Sequence, residues 1–542
     1  MNNHQTPPRD HRWAAALVGV VAGAVALGIG QLAAGLLTPE ASPVIVVGDA
    51  AVDATPAALK EWAISTFGSS DKPVLITGIV VVLALIGAGL GLLARRRPRY
   101  AVAGLAAFGA VGVLAALTRP DAGPLDALPS VAGAGAGAWA LTLLTRRAWP
   151  SLTRRARPSA PAEPSGDLAT DQGPSPMAVM RAGGEPYEFD RRGLLTGVVA
   201  GVVVAGAGGL AGSGLAGRRS VDTARAGVAL PRPATPARPL PAGADLRIRG
   251  LSPFVTPNRD FYRVDTALVL PQVDPRTWTL KIHGMVDRPV ELTFADLLKR
   301  PLTEADVTLT CVSNDVGGPY IGNARWLGAR LADVLREAGI RSGADMLLST
   351  SSDGWTCGTP VDVVMDGRDA LLAVAMNGEV LPVAHGFPVR QVVPGLYGYV
   401  SATKWVTDIK VTRFDQDEAY WTPRGWAPKG PIKTESRIDL PGDGTTVRAG
   451  RTTVAGVAWA QHRGVDAVEV RVDRGAWRQA RLAETPGPDT WRQWVYDWDA
   501  APGAHTIEVR ATDATGYTQT PDSAPPAPDG ATGWHSITVQ VK

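Results

Sequence analysis

The chain has 542 residues, 45% hydrophobic and 19% charged, with a formal net charge of +3. It is too long for one ordinary domain, and so small a charge excludes a nucleic-acid partner held by a basic field. Two cysteines, Cys311 and Cys357, exclude a disulfide-stapled scaffold, a zinc ribbon and a CxxCH haem attachment, and leave one bridge between them open.

Residues 1–217 are rich in Ala, Gly, Val and Leu, and five apolar stretches stand out at about 13–37, 73–94, 99–117, 131–145 and 193–216. A membrane span needs roughly 20 apolar residues. Four stretches meet this, and the fourth is short and Gly-rich. Arg95, Arg96, Arg97 and Arg99 lie between spans two and three. Arg146, Arg147, Arg154, Arg155, Arg157, Arg191 and Arg192 lie between spans four and five. Loops 38–72 and 118–130 are poor in Lys and Arg and carry Glu40, Asp49, Asp53, Asp71, Asp121 and Asp126. Positive loops stay inside. The pattern predicts a multi-pass cell-membrane protein, N-terminus inside and everything after residue 217 extracytoplasmic.

Residues 150–190, rich in Pro, Ser and Gly, read as a disordered cytoplasmic loop. Asp190-Arg191-Arg192-Gly193-Leu194-Leu195 suits an ordinary positive flank and also resembles a twin-arginine export signal. No histidine falls inside a span, which excludes a bis-histidine haem there. No ionisable pair does either, so a transporter has no support. Residues 218–249, with Pro231, Pro233, Pro236, Pro239 and Pro241, read as an extended linker leading away from the membrane.

Residues 250–435 read as an α+β domain. Thr277 to His283 alternates and stops at Gly284. Leu331, Val334 and Leu335 share a helix face that ends at Gly339, and Ile409 and Val411 alternate with polar residues. No GxGxxG or Walker A pattern follows a strand. Residues 436–542 alternate in four runs, at Val468 to Val472, Trp494 to Trp498, Ile507 to Ala511 and Ile537 to Val541. This predicts an immunoglobulin-like β-sandwich.

Three segments carry candidate chemistry. Thr308 to Asn314 is an alternating strand that delivers Cys311 into a loop, where a thiolate could bind a soft metal, although a lone cysteine is more often a small buried hydrophobe. His385-Gly386-Phe387-Pro388-Val389-Arg390, with Lys404, sets three cationic groups on loop-like chain, able to converge on an anion or to form a solvated basic surface. Thr256 to Asp265 mixes charges and aromatics without helix or strand period, as a pocket wall does.

These segments, with Asn314, Ala324-Arg325-Trp326, Asp353-Gly354 and Met376-Asn377-Gly378, resemble the sulfite oxidase family of molybdenum enzymes over about residues 250–542. The resemblance implies a molybdenum–molybdopterin cofactor with Cys311 on the metal. It implies that Phe261, Tyr262, Arg263, Val264, Asp265, Asp353, His385, Arg390, Ala402, Thr403 and Lys404 line the pterin, and that Arg263 and Arg463 stand near the substrate. It also implies that residues 436–542 are a dimerisation domain, and that electrons leave to a separate partner. The sequence departs from the family in three places. Asp315 and Val316 stand where basic residues follow the cysteine, Pro423-Arg424-Gly425-Trp426 lacks the active-site tyrosine, and Asp265 replaces a histidine. Asp315 favours a neutral or cationic oxide, such as a sulfoxide or N-oxide, over sulfite. The reading is thus of a membrane-anchored oxidoreductase acting on a small molecule. The alternative is a cofactor-free extracytoplasmic binding or scaffold protein.

Overall fold

The computed structural model describes residues 11–56, 59, 71–119, 122–150, 189–217 and 220–542. Most of the Pro-rich loop at 150–190 lies outside the described residues. Two compact units separate between residues 217 and 220.

The first unit is helical: α1 (Arg12–Leu36), α2 (Pro43–Ala54), α3 (Asp71–Arg96), α4 (Pro98–Leu117), α5 (Leu128–Ala148) and α6 (Arg191–Gly217). All but α2 are long and apolar enough to cross a membrane. The fourth stretch, expected over about 131–145, lies in a helix of 21 residues, lengthened by residues 128–130 at its start and 146–148 at its end. The segment 38–72, read as a loop, contains the apolar helix α2. Helix α1 packs against α3, α5 and α6. Close approach depends on small residues: a Cβ on Gly19 would collide with the Gly87 carbonyl and with Gly91. Arg95 lies over the Trp149 ring, and Phe189 packs on His11, Trp13 and Trp149. These contacts gather the arginine-bearing ends of α3, α5 and α6 at the N-terminal end of α1.

The second unit begins with ten strands: β1 (Thr279–Gly284), β2 (Val290–Thr293), β3 (Leu302–Thr310), β4 (Ile321–Arg330), β5 (Met346–Ser351), β6 (Thr356–Pro360), β7 (Leu371–Met376), β8 (Glu379–Val380), β9 (Arg390–Val392) and β10 (Val406–Thr412). One mixed sheet has the order β2-β1-β10-β5-β6. A second, antiparallel sheet runs β3-β4-β7-β8, with β9 on β7. A core of Leu280, Ile282, Ile409, Leu302, Leu372 and Val374 lies between them, closed by Leu331, Val334 and Leu335 of the helix Leu331–Ala338. The domain is therefore β-rich, its helices between residues 279 and 412 being only five to eight residues long.

The Pro-rich segment expected to lead away as a linker is instead laid on this domain. Arg225 donates to the carbonyls of Val380 and Leu381 at 2.7 Å, Ala234 donates to Leu302 O, and Thr235 bridges Thr303. Proline holds the segment extended, and its remaining N–H groups find the free edge of β3.

Residues 435–541 add β11 (Glu435–Leu440), β12 (Thr446–Val447), β13 (Gly450–Trp459), β14 (Val465–Val472), β15 (Arg478–Gln479), β16 (Arg481–Leu482), β17 (Arg492–Ala500), β18 (Gly503–Asp513) and β19 (His535–Val541). They form sheets β11-β13-β17-β16 and β12-β19-β18-β14-β15. Val454 and Trp494 of one meet Val468, Ile507 and Val539 of the other. This sandwich braces β3: Thr308 N donates to Asp489 O at 2.9 Å, Trp491 N to Thr308 Oγ1 at 2.7 Å, and Gln461 Nε2 to Thr310 Oγ1 at 3.0 Å.

Candidate active site

Strand β3 ends at Thr310, and Cys311 is the first residue of the following turn. The turn is closed locally. Cys311 N donates to Tyr320 O at 2.9 Å, Asn314 N donates to Cys311 O at 3.1 Å, and Tyr320 N returns a bond to Asn314 Oδ1 at 2.7 Å. The Asn three residues after the cysteine thus fixes the loop that presents it. Both cysteines are buried free thiols. Cys357 lies in β6 of the other sheet, beside Thr359.

The aromatic segment at 256–265 is fastened by two asparagines. Asn377 donates to Thr256 O at 2.9 Å and to Asn258 Oδ1 at 2.8 Å, while accepting from Arg325 N. Asn323 N donates to Thr256 Oγ1. So anchored, Phe261 meets the Trp326 and His385 rings edge-on and stacks on Tyr262.

Charge converges on the same place. Asp265 accepts from Arg263 at 2.9 Å and from Lys404 at 2.9 Å, and its side chain is 7% exposed. Arg390 is buried, lies 5.0 Å over the Trp326 ring, and donates to the carbonyls of His385 and Ala402. Among the described residues it has no carboxylate partner. Burial pulls Arg390 down to about 10 and Lys404 to about 8, the latter against the pull of Asp265. His385 falls to about 4 through burial, with Lys404 and Arg390 adding repulsion. Burial raises the Cys311 thiol, which Ser313 and the Lys404 charge oppose. Burial likewise raises the Tyr262 hydroxyl, with Cys311 contributing. Asp353 is raised by burial, with Asp265 adding.

One atom is informative. His385 Nε2 lies 3.0 Å from the carbonyl of Asn258, which can only accept, so Nε2 carries the ring proton. Nδ1 is then a bare acceptor, buried and without a partner among the described residues. A buried acceptor without a donor, beside a buried guanidinium without a counter-anion, suits a ligand that brings both an N–H or O–H donor and an anionic group.

The fold thus brings together Phe261, Tyr262, Arg263, Asp265, Asp353, His385, Arg390, Lys404 and Cys311. Ala402 and Thr403 adjoin them, Thr403 being buried against Ser349 Oγ at 2.7 Å. Val264 is 41% exposed. Arg463 is paired with Asp513 at 2.9 Å and donates to Ile432 O, on the wall of a cleft of about 350 Å³. Asp315 is exposed, and the charged neighbour of Cys311 is Lys404. The repulsion assigned to Asp315 therefore loses its basis, because a solvated carboxylate is screened. No tyrosine stands at 423–426, but Tyr397, 1% exposed, lies within electrostatic reach of Cys311. Sequence reading missed Tyr397 and Glu435, both buried. An acid on a strand between Thr434 and Ser436 was the one available signal.

Fold and site define a β-rich domain whose thiol ends a cationic, aromatic-walled cradle. Comparison with known proteins gives the same class. Residues 267–421 match the family described as oxidoreductase molybdopterin binding domain. The mitochondrial sulfite oxidase of Rattus norvegicus is 31% identical over 341 residues, 53% of this chain and 62% of that protein. The sulfite oxidase of Gallus gallus is 31% identical over 324 residues, 50% of this chain and 69% of the other. The chain thus spans less than two thirds of the rat protein. Among solved structures, the sulfane dehydrogenase SoxCD of Paracoccus pantotrophus has a TM-score of 0.46 and 26% identity, covering 53% of this chain and 81% of that one. The chain belongs to the sulfite oxidase family of molybdopterin-dependent oxidoreductases.

Proposed function

We propose that this chain is a membrane-anchored molybdenum-cofactor oxidoreductase whose second unit works outside the cytoplasm on a small-molecule substrate. The carrying observation is the join between Cys311 and the cradle: Cys311 N donates to Tyr320 O at 2.9 Å, and the Tyr320 ring lies 6.5 Å from the Tyr262 ring that walls the cradle. When bound, the cofactor supplies a metal centre that exchanges two electrons and an oxygen atom with substrate. The chain's residues would hold it in named ways. Arg390 and Lys404 receive the anionic part, His385 Nδ1 accepts a donor from the pterin, Phe261 and Tyr262 wall it, and Cys311 supplies the thiolate, which a metal deprotonates outright. The absence of such a cradle would have favoured a scaffold protein.

Sidedness rests on the arginines that the helix bundle gathers at one end. Arg191-Arg192 supports twin-arginine export, since a domain loaded with cofactor in the cytoplasm crosses folded. The C-terminal sandwich is read as an immunoglobulin-like module through which two copies pair, and electrons pass to a separate redox protein. Arg263 and Arg463 remain the proposed substrate-side cations, each already engaged by a carboxylate. The test is metal and pterin analysis of the purified protein. Molybdenum and pterin at one each per chain are expected, and their absence from protein expressed with cofactor supply refutes the reading. A C-terminal reporter active only in the cytoplasm overturns the sidedness.

A further inference from the structure

Helix α6 ends at Gly217, and at Val221 the chain is already buried in the second unit. Val221 is 5% exposed and shares a buried cluster with Phe261, Trp326 and Phe387. Its N–H donates to Gln272 Oε1 at 3.2 Å. The short helix Asp222–Ala226 follows and carries Arg225, which is half-buried. Arg225 Nε donates to Leu381 O and its Nη2 to Val380 O, both at 2.7 Å. A guanidinium presents its N–H groups in a rigid planar fork, so one side chain can fix two successive carbonyls; an ammonium imposes no such plane.

Those carbonyls open the turn that carries His385. Pro382 comes next, and the tight helical turn Val383–His385 closes with His385 N on Pro382 O at 2.9 Å and Gly386 N on Val383 O at 3.1 Å. Midway, the Trp405 indole donates to Val383 O at 3.0 Å. At the far end, His385 Nε2 lies 3.0 Å from the Asn258 carbonyl. The turn is thus pinned at its start, middle and end, and Arg225 supplies the first pin. The sheet gives that start a short base, since β8 has two residues, paired with Ala375 and Met376 of β7. Position matters here because His385 Nδ1 is buried and has no partner among the described residues. A binding group serves only when held within about 0.5 Å of its productive place.

We propose that Arg225 is a positioning residue for the cofactor cradle: by clamping the Val380 and Leu381 carbonyls, it sets where His385 Nδ1 meets the bound group. The inference rests on the oxidoreductase reading above. It extends the cradle's support to a segment that precedes the matched family region at 267–421. Further along that segment the work differs, for Ala234 and Thr235 bond to the edge of β3 and not to the turn.

The test compares variants of the full-length protein. Arg225→Gln should raise pterin release on gel filtration about 10-fold, the lower end of the loss when an outer contact of a metal site is removed. Arg225→Lys should recover part of the retention, because the charge stays and the fork is lost. Arg232→Gln, which removes the same charge from an exposed position of the same segment, should retain pterin as the wild type does. In a His385→Ala background, adding Arg225→Gln should change release by less than about twofold, since the two residues act as one unit. A full multiplicative loss in the double variant refutes positioning through His385. A second readout needs no cofactor: Arg225→Gln should speed amide exchange at residues 381–387 and leave β5 unchanged. Unchanged exchange there overturns the clamp, whereas a wild-type protein without pterin overturns the cofactor reading instead.

Discussion

The helical unit and the β-rich unit use opposite surfaces. In the first, small residues sit fully buried between helices and many large apolar ones face outward: Ala14, Ala15 and Ala22 are fully buried, while Leu210, Leu85 and Val199 are mostly exposed. In the second, Trp326, Trp405, Trp459 and Trp494 are buried, together with Asn323, Gln391 and Thr403. Water drives large apolar side chains inward, whereas lipid does not, so a bundle in lipid gains from close backbone approach instead. Buried polar groups in the second unit cost free energy unless paired, and His385 Nδ1 is one left without a partner among the described residues, in the cradle, where a ligand would satisfy it.

The contrast breaks most sharply at the thiol. Cys311→Ser should abolish turnover while pterin stays bound, because the cradle contacts lie on other residues. Cys357→Ser should be nearly silent in kinetics and metal analysis. Equal damage from both, with a bridge found by mass spectrometry, would undo the assignment. Next in size, Gly19→Leu should disrupt the α1–α3 contact and lower the yield of membrane-inserted protein several-fold. Any protein that does insert should carry normal molybdenum, so a proportionate loss of metal per inserted chain would show that the units are not independent.

Arg390→Met should weaken cofactor retention about 10–100-fold on loss of a charge-assisted anion contact, read as pterin released on gel filtration. Smaller still is a pH effect on stability in cofactor-free protein. Glu435 has a folded value near 8, above its ordinary 4.5, so its contribution is fully present below about 4.5 and is lost as pH rises to about 8. His385 runs the other way: its folded value near 4 lies below 6.5, so its contribution is present above 6.5 and is lost as pH falls through 4. Thermal melts of Glu435→Gln should therefore gain on the wild type between pH 5 and 8 and stay level above that. A gain that shrinks across this range would contradict the buried acid.

The long apolar helices were legible because length and hydropathy are local properties of the chain. The strands of the second unit were legible for the same reason: period-two alternation marks β14, β17, β18 and β19 whatever they pack against. Cys311, His385, Arg390 and Lys404 stood out as residue types capable of metal and anion chemistry, but more than ninety residues separate the first from the last. Only the tertiary structure decided that they share one cradle, that Arg463 is claimed by Asp513, and that Asp315 faces solvent. Only packing could turn the proline segment from a tether into an edge for β3, since proline sets the extended backbone and not what it lies against. Glu435 shows the limit most plainly. Its identity is in the sequence, but its burial beside Trp459 depends on β13 pairing across β11.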